Sequence, residues 1–353
     1  MKSRAAIFRS TEEPILVEEV ELGDPAPGDV LVQMTATGVC HSDLHYLRGY
    51  REITRPTLMG HEGTGEVVAV GEGVAHVAPG DRIITALVPR DGDPTGKSTP
   101  SSASSVSWRG EELDGHQNSI YTWAEHALLN ADYVVKVPPE TPPDVAAPLG
   151  CGVVTGAGTV LNAIDAQPGR SAAVFGVGGV GLSAIAALRV RECEPIIAVD
   201  LSDEKLEFAR RFGATEVVNA SDGDPIARIR ELSGGGVDYA IDAIGARGTT
   251  EQIVRAVKQR RGAQRGGVAA MLATGNTVRV PTGEMVTGQK TLIGVLLGSA
   301  VPERDVPELL RWHREGIFDL DALVTERYAL DEINEATSRL ESGKVFGRGI
   351  VVF

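Results

Sequence analysis

The sequence predicts an α/β protein of two domains, one β-rich and one built on a doubly wound parallel sheet. Three observations carry that expectation. The chain has 353 residues, more than the roughly 250–300 at which a single hydrophobic core stops growing. Up to about residue 150 the apolar residues fall in short β-type runs; from about residue 153 such runs alternate with helical periodicity, the rhythm of βαβ units. Glycine is in excess at 42 residues, about one in eight where about one in fourteen is usual. That implies many tight turns and close backbone approaches, as nucleotide-binding α/β proteins have.

In the first domain, segments 5–8, 15–20 and 30–34 are expected strands punctuated by Pro14, Pro25 and Pro27. Segments 66–70 and 82–87 continue the pattern, with turns at Gly71, Gly73 and Pro79-Gly80-Asp81. A distorted barrel with long loops is the expectation. Residues 89–119 are dense in Ser, Gly, Pro, Asp and Thr, with loop chemistry at 91–96 and 101–105; a loop this long is functional or mobile. In the second domain strands are expected at 172–175, 195–199, 216–218, 238–244, 268–272 and 291–297, with helices at 179–190 and 203–212. The tail, 302–353, reads as mostly helical and closes in a strand at 349–353.

Charge and composition exclude whole classes. With 34 Lys plus Arg against 48 Asp plus Glu the net charge is −14, so the basic field needed for nucleic acid or an anionic membrane is missing. No stretch approaches the ~18 apolar residues that cross a bilayer, and Met1 to Val20 shows no apolar core of a secretory signal. Cys40, Cys151 and Cys193 are an odd, widely spaced set, better read as ligands, nucleophiles or core residues than as a disulfide framework. A soluble cytoplasmic enzyme is expected, without nucleic-acid or membrane partners. The apolar segment 291–297 would lie at a sheet edge, and such edges are paired or covered. The expectation is a homodimer, with a tetramer as the alternative.

Gly176-Val177-Gly178-Gly179-Val180-Gly181 fits G-x-G-x-x-G, follows an expected strand, opens an expected helix, and is answered by Asp200 at the end of the next strand. That context marks a Rossmann dinucleotide site. Gly176 makes the tight turn, Gly178 admits the pyrophosphate, and Gly181 packs helix on strand, while the helix N-terminus offers N–H groups to the phosphates. Asp200 would accept from the ribose hydroxyls; Leu201, Ser202 and Asp203 follow it without an Arg for a 2′-phosphate, so NAD is favoured over NADP. Lys205 would assist at the ribose. The alternative is a glycine-rich structural turn with a surface Asp.

Cys40, His61 and Cys151 supply two thiolates and one imidazole, the donor set of a catalytic zinc with a fourth position open to substrate. Asp43 is an acceptor for the other ring nitrogen of His61. Taken singly, each cysteine reads more readily as a buried core residue than as a ligand.

Gly60-His61-Glu62-Gly63-Thr64-Gly65 with Gly71 and Val74, Gly38-Val39-Cys40-His41-Ser42-Asp43, Leu149-Gly150-Cys151-Gly152, the glycine turn and the closing Gly347-Arg348 occur in this order. Together they resemble the zinc-dependent medium-chain alcohol dehydrogenases over essentially the whole chain. The resemblance implies a GroES-like catalytic domain, 1–152 and 297–353, around a Rossmann NAD-binding domain, 153–296. It implies Zn2+ on Cys40, His61 and Cys151, with Glu62 as the acid behind it and an alternate ligand. It implies Ser42 on the substrate oxygen, His45 at the outer end of a proton relay, and Thr155 near the nicotinamide. His41 and Arg348 would lie near the pyrophosphate, and Ile244 among the cofactor-binding residues. The implied activity is hydride transfer between an alcohol, aldehyde or ketone and NAD. Alternatives are a nicotinoprotein-type oxidoreductase with tightly bound NAD(H) and a non-catalytic nucleotide-binding protein.

The sequence departs from that family in one large respect. No cysteine lies between Cys40 and Cys151, so a four-cysteine structural zinc cannot form and one zinc per chain is expected. The 89–119 segment takes the place of that lobe, with Trp108 a candidate anchor. His41 stands where relatives often have Arg, which would hold a pyrophosphate more firmly. Leu87 stands where relatives often have a large aromatic, which hints at a roomier pocket. Tyr50 and Arg51 read as entrance residues or a solvated loop tip. Lys258, Arg260, Arg261 and Arg265 read as a solvated face, and Cys193 as structural.

Overall fold

β1 (Lys2–Phe8) begins with alternating burial and ends in the fully buried run Ala5-Ala6-Ile7-Phe8, so it is a strand that starts at the surface and finishes in the core. It pairs antiparallel with β2 (Leu16–Leu22), Lys2 opposite Glu21 and Ile7 opposite Leu16. Next come β3 (Asp29–Val39), β4 (Thr57–Leu58), β5 (Gly63–Val70), β6 (Arg82–Thr85), β7 (Val106–Trp108), β8 (Glu111–Glu112), β9 (Asp114–Gly115), β10 (His126–Asn130) and β11 (Val134–Lys136). The coordinates come from a computed structural model that describes residues 1–50, 52–95, 102–115, 120–260, 265–273, 277 and 279–353. Two compact units divide it. One is Met1–Cys151 with Val301–Leu310 and Leu320–Phe353; the other is Gly152–Ala300 with Arg311–Asp319.

The second unit holds β12 (Ala172–Phe175), β13 (Ile196–Asp200), β14 (Glu216–Asn219), β15 (Tyr239–Asp242), β16 (Val268–Met271) and β17 (Thr291–Gly294). All five strand pairs are parallel, in the order β14-β13-β12-β15-β16-β17. This is the doubly wound order, whose direction reverses between β12 and β15. Its central strands are apolar runs buried between helices; β12 has no exposed residue. The helices stop and start on local chemistry. Ser202 caps Asp203–Arg210 by accepting from the Lys205 N–H, and Asp224 caps Pro225–Ser233 from Ile226, with Gly234 left-handed at its end. Phe175, Ile197, Val199, Ile229, Ile241 and Ile253 are buried within this unit. The last strand is shorter than expected: β17 ends at Gly294 and is at most half-buried.

In the first unit the chain closes with β18 (Val324–Tyr328) and β19 (Arg348–Val352). One sheet runs β8-β7-β2-β1-β4-β9; the other runs β11-β6-β5-β3-β19-β18, with β10 also on β3. β3 is therefore the spine, and its sequence DVLVQMTATGV is buried along nearly its whole length. Ala5, Ile7, Val20, Val32, Leu58, Ile83 and Leu128 share the core beneath it.

Three expectations need correction. The segment 102–115 is not all loop: it contains β7, β8 and β9, stitched to β2 and β4. Trp108 does anchor it, donating to Glu18 at 2.7 Å under the guanidinium of Arg109. Buried Asp29 accepts from the Ser102 hydroxyl and from both the N–H and hydroxyl of Ser104 at 2.6–2.9 Å. Residues 96–101 and 116–119 of that expected loop, with Arg51 and Arg261, lie outside the described residues. The apolar-run expectation also fails, because Pro143–Ala163 is long and apolar enough to cross a membrane. It is nevertheless 89% buried inside the protein, as a core helix is. Lys258 belongs to no simple solvated face: it donates to Asp238 at 2.7 Å and to Ser171 at 3.2 Å.

Candidate active site

Cys40 ends β3 and caps the helix His41–Leu47, with extended backbone (φ −114°, ψ 153°). The Cys40 N–H donates to Asp43 Oδ2 at 3.0 Å, while Asp43 Oδ1 lies 3.0 Å from His61 Nδ1. Asp43 and His61 are wholly buried. One carboxylate thus fixes two ligand-bearing segments. Because it can only accept, it places the proton of the neutral ring on Nδ1 and leaves Nε2 as the nitrogen that can offer a lone pair to a metal. That nitrogen lies 3.5 Å from Cys151 Sγ. Cys151 sits in a π-helical turn, Leu149–Val153, a distortion common at functional sites.

The ligand atoms of Cys40, His61, Glu62 and Cys151 all lie within 4.8 Å of one another, and all four residues are buried. A hydrogen bond from Cys151, with the charges of Arg348 and His61, holds the Cys40 thiol well below its ordinary range. Burial works against the His61 imidazolium, but Asp43 and Cys40 outweigh it and hold the ring well above its usual value. Burial also pushes Asp43 up, and pushes Glu62 up to about 7 against the opposing charge of Arg348. Arg348 Nη1 lies 3.2 Å from Glu62 Oε1, yet neither Glu62 oxygen has a hydrogen-bond partner among the described residues. Gly38 makes room for that carboxylate, since a Cβ there would stand 2.0 Å from Glu62 Oε2. Two sulfurs and an imidazole nitrogen converging in a dry site, with an unbonded carboxylate beside them, fit a borderline-soft divalent cation.

Ser42 is half-buried, its Oγ 3.8 Å from Cys40 Sγ. His45 is half-buried three residues further along the same helix, its ring 5.9 Å from that of exposed Tyr50. His41 is exposed. Arg348, expected at a pyrophosphate, is buried against Glu62. Leu87 packs on the barrel core. Cys193 is buried, its thiol pushed up to about 11 by that burial.

In the second unit Gly176 has φ +87°, and a Cβ on Gly181 would stand 1.8 Å from the Gly176 carbonyl oxygen. Around Gly178, the N-cap of Gly179–Val190, nothing lies within 4 Å of a built Cβ. The turn is therefore closed on its protein side and open at the helix N-terminus. Asp200 accepts from Val177 N–H at 3.0 Å, Leu201 N–H at 2.8 Å and Ser202 N–H at 3.3 Å, tying β13 to the glycine turn. Ile244 follows β15 across the sheet's reversal point and is half exposed; a Cβ on Gly176 would stand 2.4 Å from its Cγ1. Val180 carries the carbonyl against which Gly156 packs, Lys205 is half-buried beside Ser202, and Thr155 is buried in Val154–Gly158. Asp242 was missed in the sequence: it accepts from Ile244 and Gly245 N–H at 3.0 Å and from Thr250 Oγ1 at 2.6 Å, holding the loop that carries Ile244. Its only sequence signal is an acid at the end of a strand.

A thiolate–imidazole centre in one unit and a doubly wound dinucleotide fold in the other define a metal-dependent dehydrogenase. Residues 26–139 match the alcohol dehydrogenase GroES-like domain, and residues 179–315 match the zinc-binding dehydrogenase family. The chain is 34% identical to an alcohol dehydrogenase class-3 of Cereibacter sphaeroides, over the whole of both chains. It is 34% identical to an NDMA-dependent alcohol dehydrogenase of Amycolatopsis methanolica, covering 100% of this chain and 99% of that one. The crystal structure of benzyl alcohol dehydrogenase from Acinetobacter calcoaceticus is similar with a TM-score of 0.89 and 32% identity, covering 100% and 99%. The chain belongs to the zinc-dependent medium-chain alcohol dehydrogenase family, and it is an NAD-dependent zinc alcohol oxidoreductase.

Proposed function

We propose that this enzyme moves a hydride between a small alcohol and NAD at a single zinc per chain, held by Cys40, His61 and Cys151. The observation that carries the reading is the convergence of those three donors, with the Cys40 and His61 segments tied to one carboxylate, Asp43. Bound there, zinc supplies Lewis acidity toward an alcohol oxygen and NAD supplies the hydride acceptor. The remaining work falls to side chains. Ser42 takes a hydrogen bond from the substrate hydroxyl and passes its proton outward; it stands beside Cys40 and at i,i+3 from His45, so both face one side of their helix. His45, half-buried next to exposed Tyr50, releases the proton to water. Glu62 and Arg348 neutralise one another behind the ligands, with Glu62 free to serve as an alternate ligand. Gly176, Gly178, Gly179, Val180 and Gly181 cradle the pyrophosphate, Asp200 and Lys205 hold the ribose, and Ile244 and Thr155 face the cofactor, with His41 on its phosphates.

The absence of cysteine between Cys40 and Cys151 supports one zinc rather than two. Three free cysteines fit a reducing cytoplasm. β17, paired among the described residues with β16 alone, and Leu296 at 73% exposure support a homodimer. A second reading, in which the nicotinamide stays bound, draws on the likeness to the NDMA-dependent relative. The test is metal and nucleotide content of the purified protein, then NAD(H)-coupled turnover of alcohols, aldehydes and ketones graded in size. One zinc per chain with turnover on added NAD supports the first reading; bound nucleotide without response to added NAD moves the second forward, and no turnover of any kind sinks both.

A further inference from the structure

The turn that bears His61 leaves backbone groups buried beside the metal ligands, and each needs a partner. The Glu62 carbonyl accepts from the Gly38 N–H at 2.7 Å and the Thr37 hydroxyl at 2.6 Å. The His61 carbonyl accepts from the Thr85 hydroxyl at 2.8 Å, and Thr85 Oγ1 in turn accepts from the Gly63 N–H at 2.9 Å. One hydroxyl therefore clamps the peptide groups on both sides of Glu62. A hydroxyl is the smallest side-chain group that donates and accepts at once. Ladder pairing between β5 and β6 ends at Thr64 opposite Ile84; at the next position the side chain of Thr85 does the work of a backbone pair. Thr85 is 1% exposed, so no water competes for these bonds.

The backbone of Thr85 meets the other ligand segment. Gly150, which precedes Cys151, packs so closely that a Cβ on it would stand 1.6 Å from the Thr85 carbonyl oxygen. Side chain on the His61 turn, carbonyl against the Cys151 turn: Thr85 is the residue common to both.

We propose that Thr85 is a positioning residue of the metal centre, its hydroxyl setting the His61 imidazole relative to Cys151 and so governing metal retention and coordination geometry. This rests on the reading of Cys40, His61 and Cys151 as zinc ligands. The experiment uses the zinc-loaded enzyme, with Thr85→Val, Thr85→Ala, Thr85→Ser and the control Thr64→Val. Thr64 is wholly buried in the same pair of strands, but its hydroxyl donates to Ile83 O at 2.7 Å, away from the ligands. Zinc release to a chelator and the visible spectrum after cobalt exchange are followed, with thermal unfolding alongside. Thr85→Val is expected to release zinc about 10-fold faster or more, the scale of groups that orient metal ligands, and to shift the cobalt bands. Thr85→Ser should stay within about twofold of wild type, and Thr64→Val should lower the melting temperature without moving the spectrum. Wild-type release and spectrum in Thr85→Val overturn the inference, as does a Thr64→Val shift of equal size. If Thr85→Val and Thr85→Ala both fail to fold while Thr64→Val folds, the hydroxyl serves the fold and the positioning role is refuted. A wild-type protein that takes up neither zinc nor cobalt overturns the ligand reading itself, a result distinct from an unaltered Thr85→Val.

Discussion

Asp43→Asn keeps the size and shape of the side chain and removes one acceptor. The carboxylate accepts from Cys40 N–H and His61 Nδ1–H, each at 3.0 Å. An amide offers one oxygen acceptor and an NH2 donor group, so it satisfies one of these groups and faces the other with a donor. If the amide nitrogen turns to Cys40, two donors meet in a site with no exposure. If it turns to His61, the ring must carry its proton on Nε2, which spends the lone pair directed at Cys151. Either outcome costs about 1–3 kcal/mol for an unsatisfied buried group, or roughly 5- to 150-fold in zinc affinity at about 1.4 kcal/mol per tenfold. Competition with a chromophoric chelator measures that affinity directly, and thermal unfolding with and without chelator separates metal loss from misfolding. Zinc affinity within about twofold of wild type, in a folded Asp43→Asn protein, would refute the assignment of Nδ1 as donor and Nε2 as ligand.

Gly181→Ala forces a Cβ into the Gly176 carbonyl at 1.8 Å; an NADH affinity at least about tenfold weaker and a stability loss of about 1–3 kcal/mol are expected, read by fluorescence titration and melting, and wild-type binding would show that the turn does not hold the cofactor. His41→Arg places a permanent cation where an exposed imidazole stands, and NADH should bind up to about fivefold more tightly, the ~1 kcal/mol scale of one exposed charge pair; unchanged affinity removes His41 from the phosphates. Burial alone would raise Asp238, but its bonds to Lys258 and Ser171 prevail and hold its carboxyl below the usual range. Its contribution to stability is therefore present above the ordinary carboxyl pKa of about 3.9 and lost as pH falls through the lower folded value. Denaturation melts from about pH 6 downward should show a shallower loss in Asp238→Asn than in wild type, and parallel slopes would count against the linkage.

The dinucleotide turn was legible because its logic is local: the glycines, the strand before them and Asp200 nineteen residues on all lie in one βαβ unit. Cys40, His61 and Cys151 are legible only as an ordered pattern of distant motifs, since nothing short-range says that they meet. Strands β7 to β9 were hidden for the same reason. Their Ser-, Glu- and Gly-rich sequence has loop composition, and pairing with β2 and β4 makes them strands. The helix Pro143–Ala163 contains Gly150, Gly152, Gly156 and Gly158, residues that weaken a helical pattern in a sequence. Within the structure they are close-approach points, Gly150 against the Thr85 carbonyl and Gly156 against that of Val180. Hydroxyl braces such as Thr85 leave no trace in a sequence, because their meaning depends wholly on which carbonyl they find.

The register of β19 has a consequence for how the protein is made. Residues 349–352 pair with Val39 back to Ala36, the stretch of β3 that leads straight into Cys40. On the ribosome that edge waits for about 310 further residues (349 − 39), roughly 15–60 s at ~5–20 residues per second. By then the whole parallel sheet of the second unit has emerged and can form on its own contacts. The unit that carries Cys40 is begun before the parallel sheet and completed after it, so its ligand-bearing strand gains its final neighbour only once that sheet has been synthesised. A nascent chain stalled before Arg348 would carry Cys40, His61 and Cys151 without the strand and the arginine that complete their surroundings.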